Sequence, residues 1–207
     1  MFKRVLVANR GEIAVRIFRT LRDMNITPLA IYSEADRHAL HVRAADEAYC
    51  VGPEASTESY LRIDRVLDAA KALKADAIHP GYGFLSENAE FASAVVKAGI
   101  GWIGPPPGAI VMMGDKLTAR QTVAKAGVPL VPGESRAMAS VDEALSVATR
   151  IGFPVMLKAS AGGGGKGMRV VREDSTLETE IETARREGER YFGDGRLFVE
   201  RYIERPR

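Results

Sequence analysis

The residues that most clearly suggest a chemical role are four consecutive glycines, Gly162–Gly165, with Lys158 shortly before them and Lys166 directly after. A backbone without side chains can lie close to a phosphate chain and direct its N–H groups at it. Lysines bind phosphate as point charges, so two ammonium groups beside such a backbone favour a polyphosphate site. A flexible hairpin tip is the alternative interpretation. The strand-like segments on both sides favour a flap that covers phosphates.

This glycine run does not fit the two common phosphate-binding motifs. A P-loop reads G-x-x-x-x-G-K-[ST] and leads into a helix. Here Ser160 stands at the first glycine position, and Gly167 stands where Ser or Thr would bind magnesium. Gly162, Gly164 and Gly167 match G-x-G-x-x-G, but Met168–Val171 predicts a strand where that motif requires a helix. The sequence therefore predicts a strand, a loop and a partner strand.

The N-terminal half alternates short apolar runs with amphipathic segments. The apolar run Val5–Ala8 is followed by Ile13, Ile17 and Leu21 at helical spacing, and this alternation continues to Gly101–Gly104. Strands that alternate with helices of this length indicate parallel βαβ units in a doubly wound α/β sheet. Ligands of such sheets usually bind where the strands end.

The C-terminal half has a different pattern. The tandem prolines Pro105–Pro107 stop any helix or strand that precedes them, and we expect a domain boundary just after them. Strands are predicted at Phe153–Lys158, at Met168–Val171 and, after a charged helix, at Leu197–Ile203. This order indicates a small α+β lid rather than another doubly wound unit.

Composition excludes several functional classes. Hydrophobic residues make up 46% of the chain and charged residues 27%, as in a globular protein. The formal charge of +2 does not indicate a basic surface that would bind nucleic acid. The weakly charged stretch 98–113 contains three prolines and is shorter than the ~20 residues of a membrane span. With Cys50 as its one cysteine, the chain forms no internal disulfide. We expect a cytoplasmic protein with neither nucleic-acid nor membrane partners.

Four segments together resemble the biotin carboxylase family. Residues 5–17 are similar to the opening of that family's sequences, and His79–Asn88 is similar to a second family signature. Met113–Lys116 and Lys158–Arg169 resemble the family's ATP-site segments. These matches are nearly gapless and spread over the whole chain.

The resemblance implies a fold and a reaction. Residues 1–112 are expected to form a Rossmann-like parallel-sheet domain, and residues 113–207 the first part, an α+β lid, of an ATP-grasp domain. The implied enzyme is a ligase that carboxylates biotin on a carrier protein, using ATP, magnesium and bicarbonate through carboxyphosphate. It belongs to a biotin-dependent carboxylase, such as the acyl-CoA carboxylases of fatty acid metabolism or a pyruvate carboxylase. Implied partners are a biotin carboxyl carrier protein or domain, a carboxyltransferase component and a second copy in a homodimer.

The resemblance also implies roles for particular residues. The implied ATP-binding residues are Lys116, Lys158, Gly164, Gly165, Lys166, Glu200, Arg201, Tyr202 and Ile203. The residues implied beside bicarbonate and biotin are Tyr82, Gly83, Glu87 and Asn88, and those implied in a dimer contact are Arg16, Arg19 and Asp23. The family's magnesium ligands and catalytic groups fall beyond Arg207. No catalytic or metal-binding residue is therefore predicted here, and we expect a fragment that is inactive alone.

Several of these residues have an alternative structural interpretation. Tyr82 fits a packed side chain in a tight turn, and Glu87 and Asn88 fit the N-terminal cap of the next helix. The charged residues at 16, 19 and 23 fit a solvated helix face. His38 and His41 lack partners at metal-ligand spacing and are predicted to lie at the surface.

Two other functions remain open from the residues. One is a different ATP-grasp ligase that joins a carboxylate to an amine through an acyl phosphate. The other is a non-catalytic module that binds nucleotide or forms a dimer.

Overall fold

The computed structural model of the chain describes residues 2–114, 116–134, 136–138, 140–159, 168–192 and 195–206. The chain divides into two compact units, Met1–Asp115 and Lys116–Arg207. No helix among the described residues has the length and apolar character needed to cross a membrane.

A five-stranded sheet forms the centre of the first unit, with strand order β3-β2-β1-β4-β5 and parallel pairing throughout. The strands are β1 (Arg4–Val7), β2 (Thr27–Ser33), β3 (Glu47–Gly52), β4 (Ala77–His79) and β5 (Gly101–Trp102). Residues 5–7 of β1 and 29–31 of β2 are fully buried, as expected for strands covered on both faces. The predicted α/β sheet is thereby confirmed.

Five α-helices surround this sheet: α1 (Gly11–Asp23), α2 (Leu40–Ala44), α3 (Ile63–Ala72), α4 (Ala89–Lys97) and α5 (Pro107–Gly114). Helix α1 buries Ala14, Phe18 and Leu21 on one stripe, which packs against the sheet. Sequence analysis missed α5. It begins at Pro107, because proline at the first helical position loses no helical hydrogen bond.

The strand order reverses direction between β1 and β4, the point at which doubly wound sheets usually bind ligands. Two segments therefore leave the sheet side by side at the same edge. The first runs from Ala8 into α1, and the second, the 79–84 loop, runs from His79 to Phe84. This edge holds the residues predicted beside bicarbonate and biotin.

The second unit contains an antiparallel three-stranded sheet of order β7-β6-β8. Its strands are β6 (Val155–Ala159), β7 (Met168–Val171) and β8 (Leu197–Arg201), and its helices are α6 (Lys116–Lys125), α7 (Val141–Ile151) and α8 (Leu177–Phe192). One apolar cluster from α7, α8 and all three strands fills its interior. The described residues contain the two predicted strands on either side of the glycine run, followed by a helix and a last strand. The glycine run itself lies outside the described residues.

The predicted last strand, Leu197–Ile203, is too long. β8 ends at Arg201, and the N–H of Tyr202 donates to the carbonyl of Pro154 at 2.9 Å. The apolar pattern continues to Ile203, but the hydrogen-bond ladder stops at Tyr202, because Pro154 has no N–H to donate in return.

Candidate functional site

Two of the predicted ATP-binding residues, Lys158 and Glu200, contact each other in the second unit. In the β6–β8 register Lys158 is opposite Phe198, and Glu200 is opposite Met156. Residues two positions apart on neighbouring strands share a face of the sheet. The Nζ of Lys158 therefore reaches Glu200 and donates to its Oε2. The Lys158 side chain remains 32% exposed, so it is also accessible to a ligand.

Sequence analysis missed a third member of this cluster, Arg120 of α6. Its Nη1 donates to Oε1 of Glu200 at 3.1 Å across a separation of 80 residues. Its Nη2 donates to the carbonyl of Val131 and, at 3.4 Å, to that of Gly133. A Cβ on Gly133 would lie 2.9 Å from Cγ of Glu200, so only glycine allows the chain to run this close. No sequence signal relates α6 to β8.

The segment after Glu200 is held in place by both backbone and side-chain contacts. The N–H of Arg201 donates to the carbonyl of Pro132 at 2.7 Å, and its Nη1 donates to the carbonyl of Ile151 at 2.9 Å. The guanidinium of Arg172 lies 5.9 Å from the ring centroid of Tyr202, and Ile203 is 44% exposed. These contacts fix the backbone beside Glu200.

Four predicted ATP-binding residues lie wholly or partly outside the described residues. Gly164, Gly165 and Lys166 lie outside the described residues. Lys116 begins α6, and its side chain lies outside the described part of the chain. Their roles stay predictions.

In the first unit, Asn9 links the two segments at the sheet edge. This side chain follows β1 and is only 4% exposed. Its Nδ2 donates to the carbonyls of Pro80 at 2.8 Å and Tyr82 at 2.7 Å. It thereby holds the 79–84 loop against the end of β1. Sequence analysis did not single out Asn9, although a polar residue directly after a buried strand is a usable signal.

The 79–84 loop presents Tyr82 to solvent. Its side chain is 60% exposed, and its hydroxyl donates to Oε1 of Glu12, which raises the pKa of Tyr82. The two glycines that flank it, Gly81 and Gly83, both have φ of +67°. Tyr82 is therefore not the packed side chain of the alternative interpretation.

Two further residues were predicted on the same side, and they differ in environment. Glu87 is exposed. Asn88 is the N-cap of α4, and its Oδ1 accepts from the N–H of Phe91 at 2.8 Å. The helix-cap interpretation thus accounts for Asn88, since this bond satisfies an otherwise unpaired helical donor.

A partly buried hydrogen-bond network supports this edge from the side of β2. Arg10 donates twice to Asp36, at 2.6 and 2.5 Å, and the hydroxyl of Tyr60 donates to the same carboxylate at 2.6 Å. The Tyr60 ring stacks on Phe84 with centroids 5.0 Å apart. Phe84 has φ of +43°, a conformation that costs a non-glycine residue about 1–2 kcal/mol. The stack compensates for part of that strain and holds the end of the 79–84 loop.

This network shifts the pKa values of its members. The hydrogen bonds from Arg10 lower the pKa of Asp36 to about 2. Burial, followed by the hydrogen bond to Asp36, raises the pKa of Tyr60 to about 12. Asp36 is therefore ionised and Tyr60 protonated at neutral pH.

The depressed pKa of Asp36 predicts a pH-dependent stability. The folded state binds the Asp36 proton only near pH 2, whereas the unfolded carboxyl binds it near pH ~4. The stabilisation is complete above about pH 4, is lost as pH falls towards about 2, and amounts to up to about 2 kcal/mol. Denaturant unfolding of the wild type and Asp36→Asn should show a difference that shrinks over this range. A difference that stays constant with pH would contradict the assignment.

The surface prediction for His41 is wrong. Its side chain is 1% exposed, and its Nε2 lies 3.2 Å from the carbonyl oxygen of Ile31, to which it donates. Burial lowers its pKa. The short helix α2 packs on β2, and no pattern in the sequence indicates that contact. His38 is exposed as expected.

The residues predicted in a dimer contact, Arg16, Arg19 and Asp23, are all exposed on α1. A solvated face and a dimer contact are both compatible with that exposure. The dimer role of these residues stays a prediction.

The described residues contain no group of three or more His, Cys, Asp or Glu side chains arranged to hold a metal ion. The location of the magnesium ligands beyond Arg207 likewise stays a prediction.

Comparison with known proteins agrees with this architecture. Residues 1–110 match the model of the biotin carboxylase N-terminal domain, and residues 115–207 match that of the ATP-binding domain of the carbamoyl-phosphate synthase L chain. The chain is 53% identical to a biotin carboxylase from Halalkalibacterium halodurans, over 100% of its own length and 46% of the relative's. It spans about half the length of the curated biotin carboxylases that it matches.

Solved structures agree as well. A biotin carboxylase–β-γ-ATP complex from Campylobacter jejuni superimposes with a TM-score of 0.85 at 47% identity, covering 100% of this chain and 46% of that one. The biotin carboxylase domain dimer of a Hydrogenobacter thermophilus 2-oxoglutarate carboxylase, with MgADP, ADP and bicarbonate, gives 0.81 at 48% identity, covering 99% and 45%. The chain belongs to the biotin carboxylase family, which confirms the resemblance found in the sequence.

Proposed function

We propose that this chain supplies the N-terminal part of a biotin carboxylase. The reaction is the ATP-dependent carboxylation of biotin, held on a carrier protein, by bicarbonate through carboxyphosphate. The observation that carries the proposal is the similarity of the whole chain, at about half identity, to biotin carboxylases, one of them solved with an ATP analogue.

The domain assignment follows the same proposal. Residues 1–112 form the N-terminal domain, and residues 113–207 form the N-terminal part of an ATP-grasp domain. The two compact units and the two family matches support this division.

The second unit binds the nucleotide in this proposal. ATP carries about four negative charges, and phosphoryl transfer depends mainly on positioning and on charge stabilisation. Lys158, together with Lys116, contacts the phosphates, and the glycine run with Lys166 covers them. Glu200 and the backbone of residues 201–203 hold the adenine edge. The partial exposure of Lys158 supports this role, as does the fixed backbone beside Glu200.

The first unit supplies the bicarbonate and biotin side. Tyr82, Gly83 and Glu87 lie beside bound bicarbonate and biotin, and Asn88 contributes by fixing the start of α4. The exposure of Tyr82 and the attachment of its loop to Asn9 at the strand reversal support this assignment.

The remaining components are proposals by analogy. Magnesium, which the Hydrogenobacter structure contains with ADP, neutralises phosphate charge when bound, and its ligands come from outside this chain. The partners are a biotin carboxyl carrier, a carboxyltransferase component and a second copy that meets α1 at Arg16, Arg19 and Asp23. The cytoplasmic location stays a prediction.

The test uses the polypeptide encoded by the complete gene. We expect bicarbonate-dependent ATP hydrolysis that free biotin stimulates and ammonium does not. Stimulation by ammonium or an amine would instead favour another ATP-grasp ligase, a candidate suggested by the match of the second unit to a carbamoyl-phosphate synthase domain. Nucleotide binding without ATP hydrolysis under any of these conditions would favour the non-catalytic module that binds nucleotide.

A further inference from the structure

Three charged side chains form a cluster in the second unit, and each oxygen of one carboxylate has its own cation. Oε1 of Glu200 accepts from Nη1 of Arg120 at 3.1 Å, and Oε2 accepts from Nζ of Lys158. The side chains of Arg120 and Glu200 are 15% and 20% exposed. In this arrangement Lys158 is already ion-paired, while the cluster of two cations and one carboxylate carries a net charge of +1.

The two cations are held differently. Arg120 is anchored through Nη2 to the carbonyls of Val131 and Gly133, in addition to its bond with Glu200. The hydrogen bond that the structure describes for the Lys158 ammonium goes to Glu200. Lys158 is also the more exposed of the two cations. Of the two cations, Lys158 is therefore the less constrained.

We propose that Arg120 is a positioning residue that retains Glu200 as its counter-ion when Lys158 turns to a triphosphate. The inference rests on the proposed nucleotide site. Arg120 leaves a neutral pair behind when Lys158 departs. Without Arg120, the same movement would strand a largely buried carboxylate with no cation, and an unpaired buried charge is costly. Lys158 would then remain bound to Glu200 and be less available to phosphate.

This arrangement predicts a selective loss of ATP affinity. In the complete gene product, Arg120→Leu should weaken ATP binding about 10- to 100-fold, measured by calorimetry. The KM for ATP should rise by a similar factor, while kcat changes much less. Arg120→Lys keeps the charge and should recover most of the affinity. A merely structural role would instead lower kcat and the melting temperature, and the lysine variant would not restore ATP affinity selectively.

A double-variant cycle separates positioning from direct contact. In a Glu200→Gln background no carboxylate holds Lys158, so adding Arg120→Leu should change ATP affinity little. An equal loss in both backgrounds would mean that Arg120 contacts the nucleotide itself, and would overturn the proposal. The matched control is Arg150→Leu, which removes another arginine of this unit that is ion-paired, in this case with Glu134, and should leave ATP affinity unchanged.

The failure of this inference is distinguishable from that of the proposed function. If the wild type binds ATP and Arg120→Leu binds it equally well, the positioning role is wrong and the proposed function stands. If the wild type binds no ATP, both are wrong.

Discussion

Replacing Lys158 with methionine in the complete gene product is expected to lower biotin-stimulated ATP hydrolysis by about 100-fold or more. Methionine keeps the length and apolar stem of the side chain but removes the ammonium that, in the proposed nucleotide site, neutralises phosphate charge. The fold should survive, because Glu200 keeps its bond to Arg120. The measurement is the steady-state hydrolysis rate with bicarbonate and free biotin.

The matched control for this variant is Lys125→Met. Lys125 is an exposed lysine at the end of α6 in the same unit, and its loss should leave the rate unchanged. Lys158→Arg keeps the charge and should retain part of the activity. Equal rates for Lys158→Met and Lys125→Met would remove Lys158 from the nucleotide site.

The second large effect is expected at Gly81 in the first unit. Gly81 and Gly83 have the same φ of +67°, which strains any residue with a Cβ. A Cβ at Gly81 would lie 2.7 Å from Nδ2 of Asn9, whereas a Cβ at Gly83 would meet nothing within 4 Å. Gly83→Ala should therefore cost about 1–2 kcal/mol of unfolding free energy from backbone strain alone. Gly81→Ala should cost about 1–3 kcal/mol more, because it also displaces the Asn9 side chain from its two carbonyl partners.

Denaturant unfolding of the two alanine variants measures this difference. The chain has a single tryptophan, Trp102 in β5, so intrinsic tryptophan fluorescence follows the unit that carries both substitutions. Similar losses in the two variants would show that a Cβ at position 81 does not disturb the bonds of Asn9, or that those bonds contribute nothing to stability.

Local patterns in the sequence were sufficient to predict most of the first unit. The buried runs at β1 and β2 and the apolar stripe of α1 each reflect a periodicity that their own residues carry. The errors occur where tertiary contacts decide the outcome. β8 ends where the opposing residue, Pro154 directly before β6, has no N–H to donate, and His41 is buried because α2 packs on β2.

The candidate site shows the same division. Family resemblance predicts an ATP-binding role for Lys158 and Glu200, but their contact depends on the register between β6 and β8. Arg120 lies 80 residues from Glu200, and Arg10 lies 26 residues from Asp36. Pairs this far apart in sequence become visible only when the fold brings them together.

In the proposed nucleotide site, the bond between Lys158 and Glu200 also affects which anions can bind to Lys158. The carboxylate is a built-in anion that occupies the ammonium before any solute arrives. Chloride or acetate from the solvent must displace the Glu200 carboxylate from Lys158, and each carries only one negative charge. In the proposed nucleotide site, a ligand with several linked negative charges interacts with Lys158 and other cations together, so we expect the Lys158–Glu200 pair to favour multivalent anions over simple salts.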